Sequence, residues 1–215
     1  WDVTSPYEVK EIIVDFNNST TKFKSKTDSI KSFIAFSNSG FKTPFYVGKA
    51  SNQNLLALID IDYIIITPYE FKSHADELAL FHEQNSGLSV KVVLLQEVYN
   101  EFSNGHPDIS GIRNFLKYIY ENASSPETRL KYLLLFGDGN YDPKKRISKG
   151  NYFIPSYQSA NSTSPTASYI TDDFFGMLDD IGGVPSSSST VDIGIGRFPA
   201  RNSADAAGLV KKVKH

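Results

Sequence analysis

Aspartates stand next to the ends of apolar segments, where open α/β sheets place their ligands. Asp138 follows the apolar run 133–136, and Asp192 begins another apolar segment. Between them, the stretch TDDFFGMLDD at 171–180 supplies four more carboxylates. Clustered carboxylates repel unless a cation, protons or basic partners compensate, and calcium takes six to eight oxygens from such loops. The pattern therefore predicts either a calcium site or, more simply, side chains that cap turns and helix ends or face water.

Two better-defined metal motifs are excluded. The Asp-x-Asn-x-Asp run at 138–142 resembles the first half of an EF-hand loop, but Pro143 stands where that loop needs glycine and Lys149 where it needs a bidentate glutamate. His74 and His82 are eight residues apart, not four as a metal site on one helix face requires. We interpret all four histidines (His74, His82, His106 and His215) as surface or packing residues.

Nucleophile and nucleotide motifs are also missing. The chain has no cysteine, which excludes disulfides, thiolate metal sites and a cysteine nucleophile within it. No Gly-x-Ser-x-Gly elbow and no Walker loop occurs, and the Gly-Ile-Gly at 194–196 lacks the third glycine of a dinucleotide site. Arg197 follows directly, and an arginine just past a buried strand can hold a loop carboxylate through a bidentate pair. We expect it to tie down the loop of Asp172 and Asp173 rather than to bind a substrate.

Charge and hydropathy narrow the class of partner. Of 215 residues, 40% are hydrophobic and 21% charged, an ordinary globular balance, and the formal net charge is −2. No long basic stripe exists, so we expect no nucleic-acid partner. No apolar run approaches the roughly 20 residues that cross a bilayer. The chain opens on Trp1 without a signal peptide and closes within an apparent helix, so we expect a fragment of a longer protein.

Secondary-structure elements must position these carboxylates, and the elements can be predicted along the chain. The first part, residues 1–57, favours short β-strands. Strand candidates are Glu11–Phe16, Thr21–Lys24 and Ser32–Phe36, with a linker from Val47 to Asn54. Three short strands cannot form an independent sandwich. We therefore predict the end of an upstream β-domain plus linker at 1–57, followed by an α/β domain at 58–215.

From residue 58 onward, strands and helices alternate. The four predicted strands start at Tyr63, Val90, Tyr132 and Val191. Their continuous apolar character is typical of a parallel sheet that is buried on both faces. We predict a three-layer α/β/α fold with strand order 2-1-3-4 and helices on both faces.

Helix boundaries have local signals as well. Thr67 as N-cap, Pro68 and Glu70 fit a capping box, and Gly87 can end that helix. Asp108 can cap the next helix, and another begins at about residue 203. The stretch 137–190 has no clear periodicity, and we interpret its serine run at 186–189 as a mobile hairpin tip.

Four motifs in this order resemble the gingipain-type cysteine peptidases. They are YLLLFGDGNYD (132–142), IPSYQS (154–159), TDDFFGMLDD (171–180) and DIGIGRFP (192–199). Within that family, the chain is most similar to the cell-surface sortases of the type IX secretion system of Gram-negative bacteria. The resemblance implies a caspase-like catalytic domain of two α/β subdomains, of which this chain is the first.

The resemblance also implies where the chemistry lies. The family's dyad is a histidine in a His-Gly pair and a cysteine, both in the second subdomain, and neither has a counterpart here, so no catalytic residue and no organic cofactor site is assigned. A structural calcium ion is implied at Asp138, Asp179, Asp180 and Asp192. The implied partners are the downstream subdomain, an upstream β-domain and protein substrates of the secretion system, and the implied location is the cell surface, associated with the outer membrane.

Three classes of function stay open on the sequence. The first is the non-catalytic subdomain of a gingipain-like sortase or endopeptidase, inactive by itself. The second is a flavodoxin-like module that binds a ligand or partner in the crevice beside Thr67 and Asp138. The third is a scaffold that docks on other secretion proteins.

Overall fold

The computed structural model describes residues 1–5, 7–17, 19–26, 28–46, 48–49, 52–139, 142, 146, 154–160, 163–179 and 190–215. The chain divides into two units, Trp1–Ser51 and Asn52–His215. The predicted hairpin tip at 186–189 lies outside the described residues, and the predicted linker lies partly outside them. Among the described helices, none has the length and apolar character needed to span a membrane. The predicted domain division at residues 57 and 58 stays a prediction.

The first unit contains one small hairpin. Strands β1 (Asp15–Asn17) and β2 (Thr20–Lys22) pair antiparallel, and Asp2 bridges to Lys10 and to Phe33. Of the three predicted strands, the first two are thus shortened to this hairpin, and the third, Ser32–Phe36, to the isolated bridge at Phe33. No described residue of the unit is buried, which removes the packing that would otherwise extend such short strands.

The second unit contains the predicted parallel sheet. The four strands of this sheet are β3 (Tyr63–Thr67), β4 (Val90–Leu94), β5 (Tyr132–Phe136) and β8 (Gly194–Phe198). Between β5 and β8, the chain forms a small separate hairpin of β6 (Tyr157–Gln158) and β7 (Ile170–Thr171). The large sheet has the order β4-β3-β5-β8, and all of its pairs are parallel. The predicted order 2-1-3-4 is therefore confirmed.

Helices cover both faces of this sheet. They are α1 (Lys72–Ser86), α2 (Leu95–Phe102), α3 (Ile109–Glu121) and α4 (Ser203–Lys214). Alternate residues of a strand point to opposite faces, so Ile65 and Leu134 pack with α1 and α4, whereas Ile64 and Leu133 pack with α2 and α3. This arrangement confirms the three-layer α/β/α fold and explains why the central strands are apolar throughout.

The ends of some elements differ from the predictions. Thr67 does not cap a helix: it stays in β3, fully buried, and its hydroxyl donates to the Phe136 carbonyl at 3.4 Å. Pro68 instead precedes a 3₁₀ turn at Tyr69–Phe71, so the predicted capping box is wrong. Gly87 does end α1, with φ of 65°, and Asp108 does cap α3 by accepting from the Ser110 amide at 2.8 Å.

Two further differences concern strand and helix starts. The last strand begins at Gly194 rather than Val191, because the Asp192 amide donates to the Gly176 carbonyl and so belongs to a loop contact. Helix α2 was not predicted. It starts directly from β4, and the Glu97 carboxylate accepts from the Leu94 amide at 2.9 Å.

Two aspartates hold together the edge of the sheet at which its strands begin. Asp60, at a positive φ of 54°, accepts hydrogen bonds from the Ser124 amide and hydroxyl at 2.8 Å each and from the Thr128 hydroxyl at 2.7 Å. Asp62 accepts from the Ser89 amide at 2.9 Å. These bonds hold the segments that lead into β4 and β5 against the start of β3. Hydrogen bonds from Ser124 and Thr128 lower the pKa of Asp60 below its usual 3.8.

We predict that Asp60 makes the fold sensitive to acid. A carboxyl whose pKa is lowered by folding stabilises the native state fully above its ordinary pKa, and this contribution is lost as the pH falls through the lower, folded-state value. Asp60→Asn keeps the shape and tolerates the left-handed backbone, but cannot titrate. The free energy of unfolding, measured with urea from about pH 7 down to about pH 2.5, should differ between wild type and variant most at neutral pH, with the gap narrowing below about pH 4.

Asp76→Asn provides the matched control, since Asp76 forms an exposed i,i+4 pair with Lys72 on α1. Exposed pairs of this kind contribute little, so this variant should follow the wild-type curve closely. A gap for Asp60→Asn that stays constant down to about pH 2.5 would show that its carboxylate is not the acid-sensitive group.

Candidate functional site

Arg197 is the centre of the carboxyl edge of the sheet. It lies in β8, and its side chain is only 14% exposed. Its Nε and Nη2 donate to the two carboxylate oxygens of Asp172 at 2.7 and 2.8 Å. This is the bidentate geometry in which arginine binds a carboxylate most strongly. The prediction that Arg197 ties down the loop of Asp172 is confirmed, whereas the neighbouring Asp173 amide donates to the Thr171 hydroxyl.

The rest of the guanidinium binds main-chain carbonyls and one hydroxyl. Nη1 donates to the carbonyls of Gly137 and Ile154, each at 3.0 Å. Nη2 also reaches the Pro155 carbonyl at 3.2 Å and the Ser156 hydroxyl at 3.1 Å. A guanidinium has five N–H donors, and the protein itself engages all of them. One side chain therefore joins the end of β5, the segment at 154–156 and the loop before the 3₁₀ helix Asp173–Gly176.

Gly139 leaves the space in which this network fits. A Cβ at this position would lie 2.8 Å from the Ser156 hydroxyl oxygen and 3.3 Å from Nη1 of Arg197. The first distance is shorter than ordinary contacts allow, so a side chain would displace Ser156 or the guanidinium. The glycine after Asp138 is thus explained by close packing against Arg197.

Asp138 is held within the same edge. Its carboxylate accepts from Nε of Arg201 at 2.7 Å and from the Gly139 amide at 3.0 Å. Its main chain binds on both sides: the amide donates to the Ala200 carbonyl, and the carbonyl accepts from the Ile154 amide. Asp138 therefore holds the ends of loops together, as expected if these aspartates cap turns rather than bind calcium. Thr67 and Asp138, the two side chains of the predicted crevice, thus both have hydrogen-bond partners within the chain.

Asp179 and Asp192 lie at the other end of the sheet. The Asp192 carboxylate accepts from the Leu178 amide at 2.8 Å. Arg113 of α3 donates to the main-chain carbonyls of Met177 and Asp179 at 2.6 and 2.7 Å, and its guanidinium lies 5.8 Å from the centre of the Phe174 ring. These contacts fix the segment that follows the 3₁₀ helix to α3 and to the entry of β8.

Two of the four predicted calcium ligands, Asp138 and Asp192, lie at opposite ends of the sheet. Tyr132 pairs with Gly194 and Phe136 with Phe198, so Asp138 lies past the carboxyl ends of these strands and Asp192 before their amino ends. At about 3.3 Å per residue this separation is roughly 15 Å or more, beyond the reach of one ion. Asp180 lies outside the described residues. Within the described part of the chain, no group of three or more acidic, histidine or cysteine side chains is placed to hold a metal, so calcium at this segment stays a prediction.

Two arginines of the site, Arg113 and Arg201, were not predicted from the sequence. Arg113 had a usable signal, because it is a charged residue within α3, whose neighbours on the buried face are apolar (Ile112, Phe115 and Leu116). Arg201 had none, because it lies 63 residues from the aspartate that it binds and is itself mostly exposed.

The comparisons with known proteins agree with this architecture. The family model described as Peptidase family C25 matches residues 57–215, about three quarters of the chain. The crystal structure of dimeric latent PorU from Porphyromonas gingivalis matches with a TM-score of 0.66 and 34% identity, over 81% of this chain and 17% of that chain. A solved structure described as a protease matches with a TM-score of 0.47 and 13% identity, over 74% of this chain and 28% of that one. No curated protein matches at a significant level.

The family match over residues 57–215 and the three-layer α/β/α fold give the class of this chain. The chain belongs to peptidase family C25, and among solved structures it is similar to PorU. It spans about a sixth of the length of that PorU chain.

We predict that Arg197→Lys destabilises the second unit. Lysine keeps the charge but not the planar fork, and it would leave Asp172 and several partly buried carbonyls without donors. The free energy of unfolding should fall by about 2–4 kcal/mol, as when one partner of a partly buried charged network is removed. Urea unfolding followed by circular dichroism measures the change.

Arg201→Lys is the matched control at the same edge. Arg201 is 76% exposed and makes one ion pair with Asp138, so its replacement should cost less than about 1 kcal/mol. Equal effects of the two substitutions would mean that the Arg197 network contributes no more than an exposed surface pair.

Proposed function

We propose that this chain is the non-catalytic first subdomain of a gingipain-like cysteine endopeptidase, specifically a PorU-type sortase that cleaves C-terminal sorting signals of secreted cargo. Membership of peptidase family C25 and the 34% identity to PorU support the class. The observation that supports placing the catalytic residues outside this chain is the complete absence of cysteine from the 215 residues.

The chemistry of such a peptidase needs a nucleophile and a base. A cysteine thiolate attacks the scissile carbonyl and a histidine transfers the protons, and both would come from outside this chain. The residues of this chain would serve by holding loops. The Arg197 network joins three segments at the carboxyl edge of the sheet, and loops that are held in this way can be placed accurately against a second subdomain.

Location and partners form part of the same proposal. The similarity to PorU supports a position at the cell surface, associated with the outer membrane. The expected partners are the subdomain that carries the cysteine and histidine, an upstream β-domain, and the protein substrates of a type IX secretion system. The flavodoxin-like alternative gains no support, because the crevice side chains that it would use are already bonded within the chain.

We predict that the 215-residue chain does not hydrolyse peptides. Its activity against a mixed fluorogenic peptide library should equal the buffer blank, whereas the whole gene product should cleave and should lose activity when its cysteine is replaced by alanine. Both proteins are assayed at the same concentration, with a thiol-directed inhibitor as a second control. Hydrolysis by the cysteine-free chain would overturn the proposal.

A structural calcium ion bound by the segment from Asp179 to Asp192 is a separate proposal. It is supported by the carboxylates at the two ends of that segment, Asp179, Asp180 and Asp192. If calcium binds the native state, millimolar calcium should raise the melting temperature, magnesium should not, and Asp192→Asn should abolish the shift while keeping an oxygen for the Leu178 amide. Identical melting in calcium and in chelator would reject the site.

A further inference from the structure

The turn between α2 and α3 contains an asparagine that is followed by glycine. Asn104 and Gly105 are both exposed, and no other Asn-Gly pair occurs in the 215 residues. An Asn-Gly pair reacts with itself more readily than other asparagine pairs, because glycine has no side chain to keep its backbone nitrogen away from the asparagine amide. Both residues have a positive φ, 52° and 79°, which asparagine and glycine tolerate better than other residues.

The reaction of such a pair is an intramolecular acyl transfer. The Gly105 backbone nitrogen, once it has lost its proton, attacks Cγ of Asn104, and the side-chain nitrogen leaves as ammonia. The cyclic imide that results is then opened by water. If its bond between Cγ and the Gly105 nitrogen breaks, residue 104 becomes aspartate. If the main-chain bond breaks instead, residue 104 becomes isoaspartate and the chain runs through Cγ. Water is the only co-reactant, and nothing is oxidised or reduced.

The native turn holds the attacking nitrogen in a hydrogen bond. The Gly105 amide donates to the Tyr99 carbonyl at 2.8 Å, so this bond must break before the nitrogen can lose its proton. The next amide, that of His106, donates to the Ser103 carbonyl at 2.9 Å. Together these bonds restrict the backbone rotation that ring closure requires.

Ser103 fastens the turn to α3. Its hydroxyl donates to the His106 carbonyl at 2.6 Å. The same side chain packs against Gly111 in the first turn of α3, where a Cβ would lie 2.9 Å from the Ser103 hydroxyl oxygen and 3.0 Å from its Cβ. Glycine at position 111 therefore gives Ser103 the space that it occupies. Opening of the turn means that Ser103 moves away from both contacts.

We propose that Asn104 is a site of spontaneous deamidation whose rate is set by the opening of the turn between α2 and α3. In the closed turn the Gly105 nitrogen is blocked, and in the open turn the pair reacts as it does in an unfolded chain. The rate in the native protein is then the unfolded-chain rate multiplied by the open fraction. The product carries a new negative charge just past the end of α2, where the helix dipole disfavours an anion.

Peptide mapping by mass spectrometry on the whole gene product tests this proposal. The protein is kept at mildly alkaline pH, either folded or in concentrated urea, and the deamidated fraction at each asparagine is followed with time. In urea, Asn104 should react faster than every other asparagine of the 215 residues. In the folded protein it should react about 10-fold more slowly than in urea, or slower still.

Two variants loosen the turn without changing the reacting pair. Ser103→Ala removes the hydrogen bond to the His106 carbonyl and should speed the reaction in the folded protein by about 5-fold. Gly111→Ala places a methyl group where Ser103 packs and should change the rate in the same direction. Circular dichroism before each time course shows which variants are folded, and if Gly111→Ala is not, Ser103→Ala decides by itself.

Ser124→Ala is the matched control. It also removes one serine hydroxyl bond, the one to Asp60 at 2.8 Å, but this bond lies beyond the other end of α3. The rate at Asn104 should stay within about 2-fold of wild type, because distant sites act independently.

Equal rates at Asn104 in the folded protein and in urea would overturn the proposal, since the turn would then give no protection. A rate that Ser103→Ala leaves unchanged would overturn it as well. The same holds for equal acceleration by Ser103→Ala and Ser124→Ala, which would indicate unfolding of the whole second unit. Peptidase activity plays no part in the measurement, so its result is independent of the proposed function.

Discussion

The buried guanidinium of Arg197 is the constraint around which the carboxyl edge of the sheet is built. A charged group taken out of water must have its donors satisfied, and here Asp172, three carbonyls and the Ser156 hydroxyl do so. The loops that supply these acceptors are distant in sequence and long. Satisfying one cation therefore determines where three separate segments lie, and it leaves that cation no donor for a substrate.

The sheet sets the remaining geometry. Because β3 and β5 are buried on both faces, the side chains that can interact with solvent or partners are confined to strand ends and to the outer strands. At one end, Asp60 and Asp62 hold the entries of the strands, and at the other, Arg197 and Asp138 hold the exits. Among the carboxylates that suggested a metal site, those of Asp138, Asp172 and Asp192 accept hydrogen bonds from protein donors.

The sequence predicted those parts of the fold that depend on short-range patterns. Apolar runs located the four strands, and Gly87 and Asp108 located helix ends. Helix α2 was missed because no turn separates it from β4, and the capping role of Thr67 was wrong because burial kept it in the strand. The pairing of Asp138 with Arg201 could not be seen, since spacing says nothing about partners brought together only by the parallel register.

The central claim is that Arg197 is an internal support and not a binding group. Nuclear magnetic resonance of the arginine side chain tests it most directly, since a guanidinium bonded on all sides cannot rotate freely. We expect separate signals for the Nη hydrogens of Arg197 and slow exchange of its Nε hydrogen with water. A single averaged, rapidly exchanging signal, like that of an exposed arginine, would contradict the account.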